Sequence, residues 1–223
     1  PAFNEKKTLP SLLKKIFNIR ISKQIIIIDD KSTDGTSKIL QKYKKKVDKI
    51  IYHKKNLGKG GSIKSAQKYI LGKYTIIQDA DLEYDPKDYY SLVNEIDKKN
   101  LDAVYGSRVL KNDKFKNIQD FSHKIRIYGN IFLTFISNLI NNQNLTDAHT
   151  CYKLFRSKKF KKINLEENGF SFCPEITTKL SLLNIKIQEI PINYKGRTYD
   201  EGKKIVASDG VRAIITLIKY RYF

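Results

Sequence analysis

The residues best suited to do chemistry lie in the stretch 76–86, IIQDADLEYDP, where Asp79 and Asp81 flank a single alanine after an apolar pair. Asp-x-Asp at a strand end either holds a divalent cation against an anionic ligand or makes an ordinary polar turn. Two further loops carry related signatures, Asp29-Asp30-Lys31-Ser32-Thr33-Asp34-Gly35 and Asn56-Leu57-Gly58-Lys59-Gly60-Gly61. Asp30 can accept hydrogen bonds from a ribose or a base. A glycine-lysine-glycine turn lets backbone approach phosphate while Lys59 offers a cation, and Asp81 can hold a metal. A hard ion such as Mg²⁺ or Mn²⁺ uses one or two carboxylates plus phosphate oxygens, so the three loops together fit a nucleoside diphosphate.

Such loops converge only if the strands before them end at one edge. Residues 24–28 contain four consecutive isoleucines, the continuous apolar run of a strand buried on both faces, which points to a parallel sheet. A helix precedes it, with Pro10 in its first turn and Leu12, Leu13, Ile16 and Phe17 at helical spacing. Helices over 36–46 and 60–71 then alternate with strands over 49–52 and 74–78. Asp85-Pro86 caps a helix to about residue 98, and 102–105 is the next strand. The alternation predicts an α/β fold, a doubly wound, mostly parallel sheet with helices on both faces and ligands at the carboxyl ends of the strands. After Arg108 the pattern changes to a long loop, an amphipathic helix over 118–141, a strand over 151–155, a helix over 174–183, a strand over 187–194 and a last helix over 207–222. The apolar helix surface near lysines suits a membrane face; a helix packed on the sheet is the plainer reading.

The 223 residues form one domain, 1–223, without a linker, repeat or low-complexity block. The formal charge of +20 invites nucleic acid or an anionic membrane as partner. Of the 43 basic residues, however, 36 are lysines spread over the whole chain and only 7 are arginines. A basic nucleic-acid-binding domain, the non-enzymatic alternative, would cluster arginines and exposed aromatics on one face. Here Arg108 and Arg197 sit within motifs instead. Cys151 and Cys173 lack metal or disulfide spacing, which suits a reducing, cytoplasmic setting. The apolar tract 125–140 is too short to cross a bilayer. The chain opens at Pro1 in mid-motif, so a first strand is expected to precede it.

Competing motifs fail on particular residues. Gly58-Lys59-Gly60-Gly61 is neither Gly-x-Gly-x-x-Gly nor Gly-x-x-x-x-Gly-Lys-Ser/Thr, and there is no Gly-x-Ser-x-Gly elbow. His53, His123 and His149 are scattered without an evident partner set, Asp147-Ala148-His149 being the one pairing of note.

Taken in order, Pro1-Ala2-Phe3-Asn4-Glu5, Ile28-Asp29-Asp30-Lys31-Ser32-Thr33-Asp34-Gly35-Thr36, Asn56-Leu57-Gly58-Lys59-Gly60, Asp79-Ala80-Asp81-Leu82-Glu83-Tyr84 and Gly106-Ser107-Arg108 resemble the motifs of family 2 glycosyltransferases of the GT-A fold. Leu145-Thr146-Asp147, Cys151-Tyr152-Lys153-Leu154-Phe155, Gly169-Phe170-Ser171-Phe172, Glu175, Glu189-Ile190-Pro191 and 197–204 are similar to the branch that makes dolichyl- or polyprenyl-phosphate mannose and glucose. The resemblance covers essentially the whole chain.

That resemblance implies an inverting, metal-dependent transfer of a hexose from a nucleotide sugar, of the GDP-mannose or UDP-glucose type, to a polyprenyl phosphate. Residues 1–108 would be the nucleotide-sugar half and 109–223 the acceptor half. Pro1, Phe3, Glu5 and Asp30 would line the nucleoside pocket, with Lys59 and Asp79 nearby. Asp79, Asp81 and Glu83 would hold Mg²⁺ or Mn²⁺, with Asp81 the direct ligand. Arg108 would reach the sugar or phosphates, and Arg197 with Lys203 would engage the donor diphosphate and the acceptor phosphate. Many members have glutamine at the Glu83 position, and His123 and Ile127 stand near where some carry an arginine and a serine for the acceptor phosphate. Peripheral contact with an anionic membrane at its cytoplasmic, inner face is implied, with room for a membrane-protein partner and no nucleic acid. The alternative within the family is transfer to a hydroxyl of a cell-surface polysaccharide or glycolipid.

Overall fold

A computed structural model of the chain describes residues 1–110, 121–197 and 207–223, with side chains described there except at 121–126 and 207. The first half runs α1 (Leu9–Phe17), β1 (Ile26–Asp29), α2 (Thr36–Tyr43), β2 (Lys49–Tyr52), α3 (Gly58–Gln67), β3 (Tyr74–Ile76), α4 (Tyr89–Lys98) and β4 (Ala103–Ser107). The expected alternation is therefore present. In α1, Leu9, Leu12, Leu13 and Ile16 are the buried residues, the i, i+3, i+4, i+7 stripe that the spacing requires. Asp85 caps a short 3₁₀ turn, Pro86–Asp88, by accepting from the Lys87 amide, and that turn leads into α4.

β1 and β2 pair in parallel, Ile26 opposite Lys49 through Asp29 opposite Tyr52. Ala2 lies along β1 as well: its amide donates to Ile28 O at 2.8 Å and its carbonyl accepts from the Asp30 amide at 2.9 Å. The Pro1–Phe3 segment is thereby placed at the carboxyl end of β1.

The second half adds α5 (Phe121–Asn141), β5 (Lys153–Arg156), α6 (Ser157–Phe160), α7 (Phe172–Leu182), β6 (Ile187–Pro191) and α8 (Ala207–Tyr222). A four-stranded sheet has the order β3-β5-β4-β6. β4 and β6 are parallel, whereas β5 is antiparallel to both of its neighbours. β1 and β2 thus form a separate two-stranded parallel sheet, and the four-stranded sheet is parallel at β4/β6 and antiparallel on both sides of β5. β5 starts beside Tyr105, near the carboxyl end of β4, and runs back toward Ala103. The loop before β5 is consequently held at the edge where Arg108 leaves β4.

Two apolar clusters hold these elements. One joins Leu12, Leu13, Ile16, Ile27, Leu40 and Ala80; the larger gathers Leu92, Val104, Tyr105, Tyr152, Phe155, Phe172 and Ile176 about the four-stranded sheet. Each fully buried side chain of this size contributes about 1.5–3 kcal/mol relative to exposure. Both cysteines are buried and unbridged.

α5 departs from the expectation of a helix laid on the sheet, since its main neighbours are α7 and α8. It also buries polar residues, Thr134, Ser137 and Asn141, while Tyr128 (69 % exposed), Phe132, Phe135 and Leu139 face out. The inward polar stripe has a purpose. Asn130 donates to the Asp147 carboxylate, Thr134 accepts from the Ala148 amide, and Asn138 both accepts from and donates to the Leu145 backbone. At spacings of four, these side chains share one helix face and grip the loop at 145–148. Among the described residues no helix is long and apolar enough to cross a membrane.

Candidate active site

At the carboxyl end of β1, Asp30 is buried and works first as a brace. Its carboxylate accepts from the amides of Leu57 (2.8 Å) and Gly58 (2.7 Å), the N-terminus of α3, and faces His53 Nδ1 at 2.7 Å. Three of its roughly four acceptor positions are filled from within the chain. This remote N-cap explains why α3 begins at Gly58 rather than at Gly60, as the spacing suggested. His53 has a partner set after all, because its Nε2 lies 2.9 Å from Ser65 Oγ. The ring thus bridges the Asp30 carboxylate and the Ser65 hydroxyl. Asp34 takes the amides of Lys6 and Thr36 and so ties the 1–6 segment to the same loop. Pro1 and Phe3, both half-buried, border this edge.

The glycines of the second loop have a packing role. A Cβ on Gly60 would sit 2.3 Å from Glu167 O, and one on Gly58, at φ +72°, would sit 2.5 Å from the Gly169 amide nitrogen. Only glycine lets α3 close on the loop at 166–169. That loop is fixed from the other side by Glu175, buried in the first turn of α7, which accepts from the amides of Glu166 (2.5 Å) and Glu167 (3.0 Å). Glu175, quoted above among the residues that carry the family resemblance, caps a second loop here.

α3 carries Lys59 to the tip of β3. Lys59 Nζ donates to Asp79 Oδ2 at 2.6 Å. Burial opposes both charges, yet each holds the other: Lys59 is kept well above its usual pKa and Asp79 below its own. Gln78 locks the backbone here, accepting from Tyr89 and Tyr152 hydroxyls at 2.7 and 2.6 Å and donating to Asp79 O at 2.8 Å. Ala80 is sunk in the first apolar cluster, and Leu82 takes a left-handed φ of 61° that brings the Glu83 amide to Asp81 Oδ1 at 3.2 Å. The other left-handed non-glycine residues are asparagines apart from Lys31, so the two less suited to that conformation both lie in loops of this site.

Asp81 is the half-buried charge problem of the cluster. Burial, then the neighbouring charges of Asp79 and Glu83, push its carboxyl up to about 7, and Arg197 only partly offsets them. Glu83 does not converge with the other two. Its Oε1 accepts from the Arg197 amide at 2.7 Å and its Oε2 from the Tyr194 hydroxyl at 3.0 Å, so it fastens the segment after β6. Among the described residues no group of three or more His, Cys, Asp or Glu side chains converges as a metal cage. Of the three expected carboxylates, Asp79 is held by Lys59 and Glu83 by the Arg197 amide and Tyr194, while Asp81 has only the Glu83 amide and a more distant Arg197. Arg197 lies over this point: Nη1 and Nη2 each reach Glu5 at 3.1 Å, and Nη2 is 3.5 Å from Asp81 Oδ2. Glu5 is accordingly an arginine partner in this state. Lys203 lies outside the described residues, and so does the side chain of His123.

Arg108 is built differently. Its Nε and Nη2 clamp the buried Asp147 carboxylate at 2.6 and 2.7 Å, and its amide adds a third contact at 3.1 Å. Burial pushes Asp147 up, but Arg108 outweighs it and brings its pKa to about 2. Glu189 in β6 accepts from the amides of Thr146 and Asp147, fixing that loop from below. Only Nη1 of Arg108 takes no part in the clamp. The sequence read Arg108 as a group reaching ligand, whereas its guanidinium edge serves first to close a salt bridge. His149 does not complete a pair with Asp147; burial and Lys153 lower its pKa to about 4 and keep it neutral.

The site therefore brings Asp30, Lys59, Asp79, Asp81, Arg197 and Glu5 together at one edge of an α/β fold, with Glu83 holding the Arg197 amide beside it. Residues 1–164 match the family described as glycosyl transferase family 2. A dolichyl-phosphate beta-glucosyltransferase of Dictyostelium discoideum is 31% identical to the chain over 244 residues, covering 100% of this chain and 73% of that protein. The glucosyl-3-phosphoglycerate synthase of Mycobacterium tuberculosis superposes with a TM-score of 0.73 at 15% identity, covering 100% of this chain and 79% of that one. A second structure of that synthase, with Mn²⁺, UDP-glucose and glycerol 3-phosphate, has a TM-score of 0.68 at 15% identity and covers 99% and 78%. At that identity the likeness is one of fold, the GT-A glycosyltransferase fold. The chain belongs to glycosyl transferase family 2. It is thus a glycosyltransferase, with a full-length likeness to the dolichyl-phosphate glucosyltransferase branch.

Proposed function

We propose that this chain transfers a hexose, with inversion at the anomeric carbon, from a nucleotide sugar of the UDP-glucose or GDP-mannose type to a polyprenyl phosphate. The observation that carries the reading is Asp81, a half-buried carboxyl whose charge is disfavoured by burial and then by Asp79 and Glu83, set beside the Lys59–Asp79 pair. A carboxylate in that position is satisfied by a cation, and Mg²⁺ or Mn²⁺ fits its oxygen donors. Asp81 would hold the ion, with Asp79 beside it. When bound, such an ion supplies charge neutralisation to the departing diphosphate.

The remaining work falls to the chain. Pro1, Phe3 and the free acceptor position of Asp30 border the nucleoside, with residues 1–108 as the donor half and 109–223 as the acceptor half. Arg108 keeps Nη1 for the sugar or diphosphate. Arg197, and Lys203 by the family resemblance, would meet the phosphates and offset the negative charge that gathers on the leaving group. A phosphate acceptor is already an anion, and no strong general base is required.

The lipid acceptor is supported by the likeness to the dolichyl-phosphate glucosyltransferase and by the outward faces of α5 and α8. Tyr128, Phe132, Phe135 and Leu139 on α5 stand with Val211, Ile215 and Tyr222 on α8, all exposed. The two helices pack together, so the residues form adjoining apolar stripes. Such helices lie in the plane of a bilayer surface, and the +20 charge favours an anionic, cytoplasmic leaflet. Offering UDP-glucose and GDP-mannose with either polyprenyl phosphate or oligosaccharide acceptors, and identifying products by mass spectrometry, tests the reading. A polyprenyl-phosphate hexose is expected; sugar transfer only to hydroxyl acceptors would refute it.

A further inference from the structure

Arg197 occupies the place where the proposed cation site needs positive charge. Its guanidinium bridges both oxygens of Glu5 at 3.1 Å and approaches Asp81 Oδ2 at 3.5 Å, while its amide is held by Glu83 at 2.7 Å. Arg197 Nε is buried with no hydrogen-bond partner, so the side chain is not fully satisfied where it stands. An orphaned buried donor is unfavourable, which marks this position as one that a better acceptor set can draw the side chain away from. Diphosphate oxygens are such acceptors, matching the planar fork of the guanidinium.

We propose that Arg197 is a resident cation at Asp81 in the donor-free protein, and that it makes metal and nucleoside diphosphate bind as a unit. This rests on the reading of Asp81 as the cation-holding residue. A divalent ion arriving alone must share Asp81 with a guanidinium a few ångströms away, or displace it from Glu5. A diphosphate arriving with the ion gives Arg197 a new partner and removes that repulsion. Glu5 is then the residue on which Arg197 rests between turnovers, in place of a simple contribution to the nucleoside pocket. The consequence is positive coupling between two ligands, reciprocal by linkage.

The test is Mn²⁺ binding to the full chain, followed by the paramagnetic signal of free Mn²⁺, alone and with saturating UDP or GDP in separate arms. Arg197→Gln is expected to bind Mn²⁺ alone about five-fold or more tightly than wild type, the low end of usual coupling strengths. In the presence of the diphosphate the same variant is expected to bind Mn²⁺ more weakly than wild type. Arg197→Lys, which keeps the charge without the fork, should stay near wild type for Mn²⁺ alone. A merely structural arginine would move both affinities in one direction. Unchanged or weaker binding of Mn²⁺ alone to Arg197→Gln, with Asp81→Asn abolishing binding, would overturn the inference and leave the Asp81 reading standing. Undiminished Mn²⁺ binding to Asp81→Asn would remove the Asp81 reading, and the inference with it.

Discussion

Asp81, half-buried, and Asp147, fully buried, both stand beside an arginine, and they behave as opposites. Asp147 receives Nε, Nη2 and the amide of Arg108 together with Asn130, and its pKa falls to about 2. Asp81 shares Arg197 with Glu5 at a longer distance and has Asp79 and Glu83 as neighbours, and its pKa rises to about 7. The lesson is that an arginine near an aspartate defines neither structure nor catalysis by itself. What decides is whether the donors around the carboxylate are complete. A complete set makes a brace; an incomplete one among like charges makes a place for a ligand.

The comparison breaks most visibly through stability. Asp147→Ala leaves the Arg108 guanidinium buried without its partner, and a loss of roughly 3–5 kcal/mol is expected in urea unfolding. Asp81→Asn removes an unfavourable charge, so its unfolding midpoint should equal or exceed that of wild type. A destabilisation of Asp81→Asn as large as that of Asp147→Ala would erase the distinction.

Activity should show the reverse order. Asp81→Asn is expected to lower transfer by on the order of 10² to 10³ with the fold intact, the usual cost of removing one electrostatic stabiliser. Circular dichroism alongside a product assay separates this loss from unfolding.

The pH dependences have opposite signs. Asp147, depressed in the folded state, gives stability that is present above its unfolded pKa near 3.8 and lost as pH falls through about 2. Asp81, raised in the folded state, makes the folded chain hold more protons between about 3.8 and 7, so its contribution to stability declines as pH rises across that window. Cation binding must also displace the Asp81 proton, and Mn²⁺ affinity should climb through pH 7 and flatten above it. Asp81→Asn should abolish that climb; calorimetric titration at pH 6, 7 and 8 would show whether it does.

The smallest effect sharpens the account of the loops. Gly60→Ala would drive a Cβ into Glu167 O, and a cost of about 1–3 kcal/mol is expected from overpacking. If Gly60→Ala kept stability but lost nucleotide affinity, the glycine would belong to phosphate approach after all.

Much of this was legible in the chain. The isoleucine run of β1, the helical stripe of α1 and the Asp85-Pro86 cap follow from local rules, and the alternation through β4 gives the fold class. β5 as an antiparallel strand was not legible, because a short apolar run carries no mark of direction. The inward polar stripe of α5 was visible only as interruptions of an apolar tract; its meaning needed the loop at 145–148 to be in place. The roles of Glu5, Glu83 and Asp30 were open for the same reason. Each has the chemistry of a ligand, but Arg197, Tyr194 and the α3 amides reach them from 27 to 192 residues away along the chain. His53 offered one faint signal, a histidine directly after β2, and the carboxylate it faces directly follows β1.

The most direct measurement is mass spectrometry of the lipid formed by the full chain from UDP-glucose or GDP-mannose, undecaprenyl or dolichyl phosphate and Mn²⁺ or Mg²⁺, with Asp81→Asn run beside it. The account predicts a polyprenyl-phosphate hexose from the wild type that disappears with a chelator and with Asp81→Asn. Equal product from Asp81→Asn, or undiminished product in the chelator, would contradict it.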